Sequence, residues 1–76
     1  MDSIEQMRMF SAVAATTSFS KAAERLGTSA QNVSKNIRAL EDVLGVLLLH
    51  RTTRVVTLTE AGRAYLPRCN RVIDEF

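Results

Sequence analysis

Polar and basic side chains that suit nucleic-acid binding are concentrated in the middle of this 76-residue chain. The stretch from Gly27 to Leu40 contains no acidic residue, whereas both ends of the chain carry acidic ones. From residue 21 to residue 54 the acidic Glu24, Glu41 and Asp42 are outnumbered by the basic Lys21, Arg25, Lys35, Arg38, Arg51 and Arg54. This uneven distribution of charge along the chain favours a polyanion bound to its middle, although the formal net charge is only +2. A basic face that is merely solvated explains the charges equally well.

Residues that could perform catalysis or bind a metal do not form a recognisable group. His50 has no suitable partner near it in the sequence, and we interpret it as a partly buried strand residue. No Ser/His/Asp or Cys/His arrangement, carboxylate pair or glycine-rich phosphate loop is visible. Cys69 is the single cysteine, which excludes an intrachain disulfide and a cysteine-based zinc cluster. We therefore expect no enzymatic activity and no cofactor or metal.

Targeting signals are not evident either. The start of the chain lacks the basic, apolar and small-residue order of a secretory signal. The longest apolar run, residues 43–49, contains Gly45 and is far shorter than the roughly 18 residues that a membrane span needs. A lone thiol is compatible with a reducing compartment. These features predict a soluble, cytoplasmic protein.

The first predicted helix, residues 4–16, is apolar on two sides. It has no proline or glycine and is rich in methionine and alanine. At about 100° per residue, one side carries Ile4, Met7, Phe10 and Ala14 and the nearly opposite side carries Met9 and Val13. A helix with two apolar sides has two surfaces to bury. We expect the domain core to cover one side and a partner chain to cover Met9 and Val13.

Residues 20–45 have the pattern of two helices joined by a tight turn. Ser20 is predicted to cap a short helix, residues 21–26, whose Ala22, Ala23 and Leu26 point inward. Gly27 suits the turn because it tolerates a positive φ, and Ala23 is small enough for the helices to cross. Ser29 is predicted to cap a longer helix that Gly45 ends. These offsets predict a helix-turn-helix, although an ordinary helical hairpin has similar patterns.

The longer helix has one apolar and one polar face. Val33, Ile37, Leu40 and Leu44 fall within roughly 60° of one another, and the opposite face carries Gln31, Ser34, Lys35 and Arg38. These polar types can contact base edges and phosphates in a major groove. A solvated face is one alternative, and a winged-helix module that docks on another protein is the main rival. Acidic or large apolar residues would favour docking on a protein, and none occurs on the polar face before Asp42.

Two short strands, residues 47–50 and 55–58, are predicted to follow as a hairpin. The tip between them consists of Arg51, Thr52, Thr53 and Arg54. Two arginines on a narrow turn can reach phosphates or a minor groove, where the negative potential favours arginine. An ordinary charged loop is the alternative. The position directly after a helix-turn-helix favours a basic wing.

The last predicted helix, residues 59–76, begins at the cap Thr59 and carries a coiled-coil-like seam. Pro67 lies away from the seam and should bend the helix. The seam spacing of four, three and four indicates dimerisation, with Cys69 interpreted as a small apolar seam residue and not a redox switch. The predicted dimer interface comprises Met9, Val13, Tyr65, Cys69, Val72, Ile73 and Phe76. Because the seam continues to the last residue, we expect the chain to be part of a longer protein.

The sequence resembles the amino-terminal domain of LysR-type transcriptional regulators over essentially its whole length. The first matching stretches are Phe10-Ser11-Ala12-Val13-Ala14, Ser18-Phe19-Ser20-Lys21-Ala22-Ala23-Glu24-Arg25-Leu26 and Val33-Ser34-Lys35-Asn36-Ile37. The others are Leu40-Glu41, Leu44-Gly45-Val46-Leu47-Leu48, Arg51-Thr52-Thr53-Arg54 and Leu58-Thr59-Glu60-Ala61-Gly62. Order and spacing are kept throughout.

The resemblance implies a mainly α fold: three helices and a two-stranded wing in residues 1–58, then a linker helix in residues 59–76 that pairs with its dimer mate. It implies sequence-specific binding to double-stranded promoter or operator DNA by a homodimer, with a carboxy-terminal effector-binding domain elsewhere in the intact regulator. The predicted DNA-binding residues are Ser20, Lys21, Ser29, Gln31, Asn32, Ser34, Lys35, Arg38, Arg51, Thr52, Thr53 and Arg54. Ser29-Ala30-Gln31 departs from the Ser-Gln-Pro or Ser-Pro-Ser of many members. The resemblance therefore implies how the recognition helix docks on DNA but not which bases it prefers.

Overall fold

A computed structural model describes residues 3–51 and 55–76, with Ser3 described by its backbone only. In chain order the elements of this part are α1 (Ser3–Thr16), α2 (Phe19–Leu26), α3 (Ala30–Leu44), β1 (Leu49–His50), β2 (Thr57–Leu58) and α4 (Glu60–Glu75). The two strands are antiparallel, with Leu49 opposite Leu58 and His50 opposite Thr57. The predicted winged helix-turn-helix followed by a further helix is confirmed. Thr52, Thr53 and Arg54 lie outside the described residues.

Helix α1 lies at the centre of the fold and packs against α2, α3 and α4. Phe10 and Val13 of α1 are fully buried together with Val33 and Ile37 of α3 and with Leu48. Burying large apolar side chains of this kind contributes about 1.5 to 3 kcal/mol each. The core therefore forms where three helices contact the first one.

Both apolar sides of α1 are covered within a single chain. Met9 is 4% exposed and Val13 is 0% exposed. This contradicts the prediction that a partner chain covers them. The reason is that α4 packs back onto α1 while α2 and α3 also contact it, so the second apolar side has an intramolecular neighbour.

Helix α2 begins two residues earlier than predicted, because Ser18 and not Ser20 is its cap. The Ser18 side chain accepts a hydrogen bond from the backbone N–H of Lys21 at 3.2 Å. Helix α1 ends at Thr16, and Thr17 has a φ of 54°, a left-handed conformation that turns the chain before Ser18. Beginning the helix at residue 19 places the Phe19 ring against the core. Ser20 is exposed in the first turn.

The bounds of α3 agree with the prediction. Ser29 accepts a hydrogen bond from the backbone N–H of Asn32 at 3.1 Å, and Gly45 ends the helix with a φ of 73°. Val33, Ile37 and Leu40 are buried as expected. The predictions for Leu26 and Leu44 were wrong: both are 39% exposed, because each is the last residue of its helix, where the chain leaves the core.

The wing strands are shorter than predicted because the chain before β1 is anchored to the start of α4. Thr59 caps α4 by accepting from the backbone N–H of Gly62 at 2.9 Å, as predicted. It also donates through its hydroxyl to the carbonyl of Leu47 at 2.6 Å and through its N–H to the carbonyl of Leu48 at 3.0 Å. Leu47 therefore lies outside the strand, and His50, expected to be partly buried, is exposed.

Gly62 permits a close contact between α4 and the residue before β1. A Cβ atom at this position would lie 2.2 Å from the carbonyl oxygen of Leu48, which is a backbone atom that cannot rotate away. The first turn of α4 therefore rests directly on the chain that enters the wing. Only glycine allows this approach.

We predict that Gly62→Ala lowers the free energy of unfolding by about 3 kcal/mol or more, because the added methyl group forces α4 away from Leu48. Gly27→Ala is the matched control. A Cβ there meets nothing within 4 Å, but its φ of 69° is unfavourable for alanine, so a loss of about 1 to 2 kcal/mol is expected. Urea denaturation followed by circular dichroism measures both, and equal losses would contradict the steric argument.

Candidate nucleic-acid interface

The exposed face of α3 carries three of the side chains predicted to contact DNA. Gln31, Lys35 and Arg38 are all exposed, on the side of the helix opposite the buried Val33 and Ile37. The helix is held by its apolar side against α1 and α2. Its amide and two cationic groups are therefore presented to solvent on a fixed support.

Ser34 differs from these neighbours because it is half-buried at the edge of the face. Its hydroxyl oxygen accepts a hydrogen bond from Nη1 of Arg51 at 2.8 Å. Ser34 is therefore linked to the residue that follows β1, and its side chain does not rotate freely.

Arg51 was predicted to reach DNA from the tip of the wing, and the structure shows its side chain engaged within the domain. Its Nη2 lies 3.4 Å from Oε1 of Glu41, and its guanidinium carbon lies 5.1 Å from the centre of the Phe19 ring. The side chain is 18% exposed. Burial lowers the pKa of Arg51, the carboxylate of Glu41 opposes this shift, and the charge of Arg38 adds to it. Arg51 thus joins the end of β1 to α2 and α3.

Glu41 is a buried acid, although it was not among the predicted functional residues. Its side chain is 5% exposed, and its Oε2 accepts hydrogen bonds from the backbone N–H groups of Leu48 at 2.7 Å and Leu49 at 3.2 Å. A signal for this was present, because Glu41 follows Ile37 by four residues and so lies on the buried face of α3. An acid on that face requires buried partners.

Asn32, which the resemblance placed in the groove, lies at the other edge of α3. It is exposed, its amide donates to Oγ1 of Thr28 at 3.0 Å, and its Oδ1 accepts from the amide of Asn36 at 3.1 Å. These bonds connect the turn to the first turns of α3. Asn32 therefore orients the beginning of this helix.

The remaining predicted DNA contacts in the described part of the chain lie at helix starts. Ser20 and Lys21 are exposed in the first turn of α2. Ser29 is exposed as well, but its hydroxyl oxygen already accepts the capping bond of α3. The structure thus leaves Ser20 and Lys21 accessible beside the helix-turn-helix.

The seam predicted on α4 is divided between the core and the surface. Cys69 is 1% exposed, so it is a core residue and not a seam residue; burial raises the pKa of its thiol, and a hydrogen bond with Tyr65 opposes this shift. Tyr65 is half-buried with its ring centre 5.9 Å from that of Phe10, and Ile73 packs against the core. Val72 and Phe76 remain 37% and 84% exposed.

Cys69 is buried because α4 packs against the core of the same chain. Helix α4 lies against α1, where the hydroxyl of Ser11 donates to Oδ1 of Asn70 at 2.7 Å. Helix α4, which belongs to the predicted linker region 59–76, therefore also contributes to the core. A shallow groove beside Tyr65, lined also by Leu44, Val46, Ala61 and Ala64, remains open to solvent.

These elements, a helix-turn-helix with a two-stranded wing, define a winged helix-turn-helix domain. Residues 4–63 match the family model of the bacterial regulatory helix-turn-helix proteins of the lysR family. The chain belongs to this family. Membership of a regulatory family agrees with the expectation that the chain is not an enzyme. In the described part of the chain no helix is long and apolar enough to cross a membrane.

Among curated relatives, an uncharacterized HTH-type transcriptional regulator of Shigella flexneri, YfeR, is 47% identical over 73 residues. The match covers 96% of this chain and 24% of that protein. The transcriptional activator AaeR of Escherichia coli is 41% identical over 75 residues, which cover 99% of this chain and 24% of AaeR. The chain thus spans about a quarter of the length of these relatives.

Solved structures with the same fold include DNA complexes. The DNA-binding domain of BenM bound to benA site 1 DNA superposes with a TM-score of 0.91 at 32% identity, covering 99% of this chain and 83% of that one. The DNA complex of the CbnR DNA-binding domain gives a TM-score of 0.90 at 38% identity, with 97% and 84% coverage. Both extend over α4 as well as the winged helix-turn-helix.

We predict that Glu41→Ala lowers the free energy of unfolding by about 3 kcal/mol, because it leaves two buried N–H groups and the Arg51 guanidinium without their partner. Asp42→Ala is the control: it removes the same charge from the next residue, which is exposed, and should cost less than about 0.5 kcal/mol. Urea titrations of both variants test this. Similar free energies of unfolding for the two variants would show that the buried carboxylate does not stabilise the fold.

Proposed function

We propose that this chain binds double-stranded DNA in a sequence-specific manner as the DNA-binding domain of a LysR-type bacterial transcription regulator. The observation that carries the proposal is the exposed face of α3, with Gln31, Lys35 and Arg38 directed away from a well-packed apolar side. An α-helix fits the major groove, and a rigid support fixes which side chains reach it. The DNA complexes of the BenM and CbnR domains support this docking mode.

The three exposed side chains have different roles in this proposal. The amide of Gln31 has both a donor and an acceptor, a combination that pairs well with the edge of adenine. Lys35 and Arg38 supply positive charge for phosphates, and Arg38 also suits the acceptor edge of guanine. Gln31 therefore contributes mainly to base preference, and the two cations mainly to affinity.

Contacts to the DNA backbone flank this face. Ser20 and Lys21, exposed at the start of α2, are suited to phosphates. Thr52, Thr53 and Arg54 of the predicted wing tip would approach a neighbouring phosphate or minor groove, where arginine is favoured. Regulation of transcription places the protein in the cytoplasm with the DNA.

The proposed active form is a homodimer that pairs through α4. Its support is the exposure of Val72 and Phe76 on this helix, together with the open groove beside Tyr65. Two copies would place two α3 helices on half-sites separated by one helical turn of DNA or a multiple of it. Residues 59–76 thus act as the linker to the mate, in addition to their part in the core.

We predict that Lys35→Ala and Arg38→Ala each weaken binding to all sequences and reduce the salt dependence of log K by about one. Gln31→Ala should instead lose about 1 to 3 kcal/mol of discrimination at one base pair and keep the nonspecific affinity. Fluorescence anisotropy over a salt series, on a duplex selected by the wild-type chain, measures these effects.

Arg71→Ala is the matched control for these variants, because it removes the same charge from an exposed position on α4. It should leave the base preference and the salt dependence unchanged. Binding that is unaffected by all three α3 variants, with the fold intact by circular dichroism, would refute the assignment of α3 as the recognition helix.

We predict that Val72→Asp raises the dimer dissociation constant at least about tenfold, because it places a charge in an apolar contact between two α4 helices. Val43→Asp is the control, since Val43 is even more exposed, at 81%, but lies on α3. Sedimentation velocity of both variants over a concentration series measures this. A wild-type chain that stays monomeric on DNA, or equal effects of the two variants, would contradict pairing through α4.

A further inference from the structure

One hydrogen bond links the exposed face of α3 to the buried ion pair beneath it. We propose that Arg51 is a positioning residue that fixes the hydroxyl of Ser34 as a hydrogen-bond donor toward DNA. The base opposite Ser34 would then be selected for an acceptor at its edge. The inference rests on the proposed DNA binding and adds to it a specific residue pair that sets base preference.

The chemistry of the two groups fixes the direction of the bond between them. A guanidinium group has donors and no acceptor, so in the 2.8 Å contact with Nη1 of Arg51 the oxygen of Ser34 must accept. A serine hydroxyl has one proton to donate in addition to its two lone pairs. In the described part of the chain no residue accepts that proton. It is therefore available to a ligand at the edge of the exposed face.

Arg51 itself is held firmly by two other contacts. Its guanidinium contacts Glu41 of α3 at 3.4 Å and lies over the ring of Phe19 of α2. Glu41 is fixed in turn by the backbone N–H groups of Leu48 and Leu49. Because each partner belongs to a different packed element, the position of the arginine is set before any ligand binds. A preorganised neighbour of this kind orients a hydroxyl at little further entropic cost.

The charge of Arg51 is already balanced within the domain. The carboxylate of Glu41 compensates the charge of Arg51, and the guanidinium is only 18% exposed. An arginine that binds phosphate needs an accessible, uncompensated charge. Arg38, which is exposed on the same face, fits that description better. The structure therefore favours positioning over phosphate binding as the role of Arg51.

The consequence for recognition follows from the base edges in the major groove. Guanine and adenine offer the N7 acceptor and thymine offers O4, whereas cytosine presents an amino donor. A hydroxyl that already accepts a bond from a guanidinium is polarised into a stronger donor, so it favours the first three bases over cytosine, whose edge offers it no acceptor. Ser34 would thus disfavour cytosine at one position of the contacted strand.

The test compares Ser34→Ala, Arg51→Met and the double variant with the wild-type chain, using selection from a randomised duplex library and competition binding. Methionine keeps an apolar contact with Phe19 but cannot donate to Ser34. Each single variant should lose discrimination against cytosine at the same base-pair position, by about 3- to 10-fold, the effect of one hydrogen bond. The double variant should lose no more than either single variant, because both remove the same interaction.

The phosphate-binding alternative predicts a different pattern. In that case Arg51→Met weakens binding to all sequences equally, reduces the salt dependence of log K by about one, and adds its effect to that of Ser34→Ala. This result would overturn the inference. Arg51→Lys serves as a second variant if Arg51→Met does not fold. It keeps the charge, so phosphate binding predicts near wild-type specificity, whereas positioning predicts a loss at the Ser34 base pair.

The outcomes also separate this inference from the proposed function. A wild-type chain without any sequence preference on duplex DNA would remove the proposed function, and the inference with it. A wild-type chain with a clear preference that Ser34→Ala and Arg51→Met leave unchanged would overturn only the inference.

Discussion

Much of this fold depends on the interactions of the Glu41 carboxylate. A buried charge is costly unless hydrogen bonds and an opposite charge compensate it. Here two backbone N–H groups and the guanidinium of Arg51 do so. Because the carboxylate needs these partners, the segment that leads into β1 lies against α3. Because Leu48 also supports the first turn of α4 at Gly62, one side chain relates the helix proposed to read DNA to the wing and to α4.

Helix α4 combines two roles that sequence patterns tend to separate. Its inner side completes the core, through Cys69 and the contact of Tyr65 with Phe10. Its outer side leaves Val72 and Phe76 exposed for the proposed mate. A chain of this length has little apolar surface to bury, so using the helix on both sides improves its stability. The surface offered to a partner is therefore held by the same core that holds α3.

The parts of the fold that depend on local signals could be predicted from the sequence. Ser29, Gly45 and Thr59 mark helix ends by their own chemistry, and the spacing of Val33, Ile37 and Leu40 identifies the buried face. The other features depend on contacts between distant segments. Neither the burial of Met9 and Val13 within the same chain, nor the pairing of Arg51 with Ser34 and Glu41, has a periodic signature. Most exposed candidates on α3 were therefore found, while the network that supports them was missed.

The close contact at Gly62 has a consequence for the spacing of a DNA site. In a dimer paired through α4, the angle between this helix and the rest of the domain sets the distance between the two copies of α3. That angle is fixed where the first turn of α4 meets the Leu48 carbonyl, without a side chain between them. A small tilt there is amplified along the 16 residues of α4. The absence of a side chain at Gly62 thus contributes to the number of base pairs between the two half-sites.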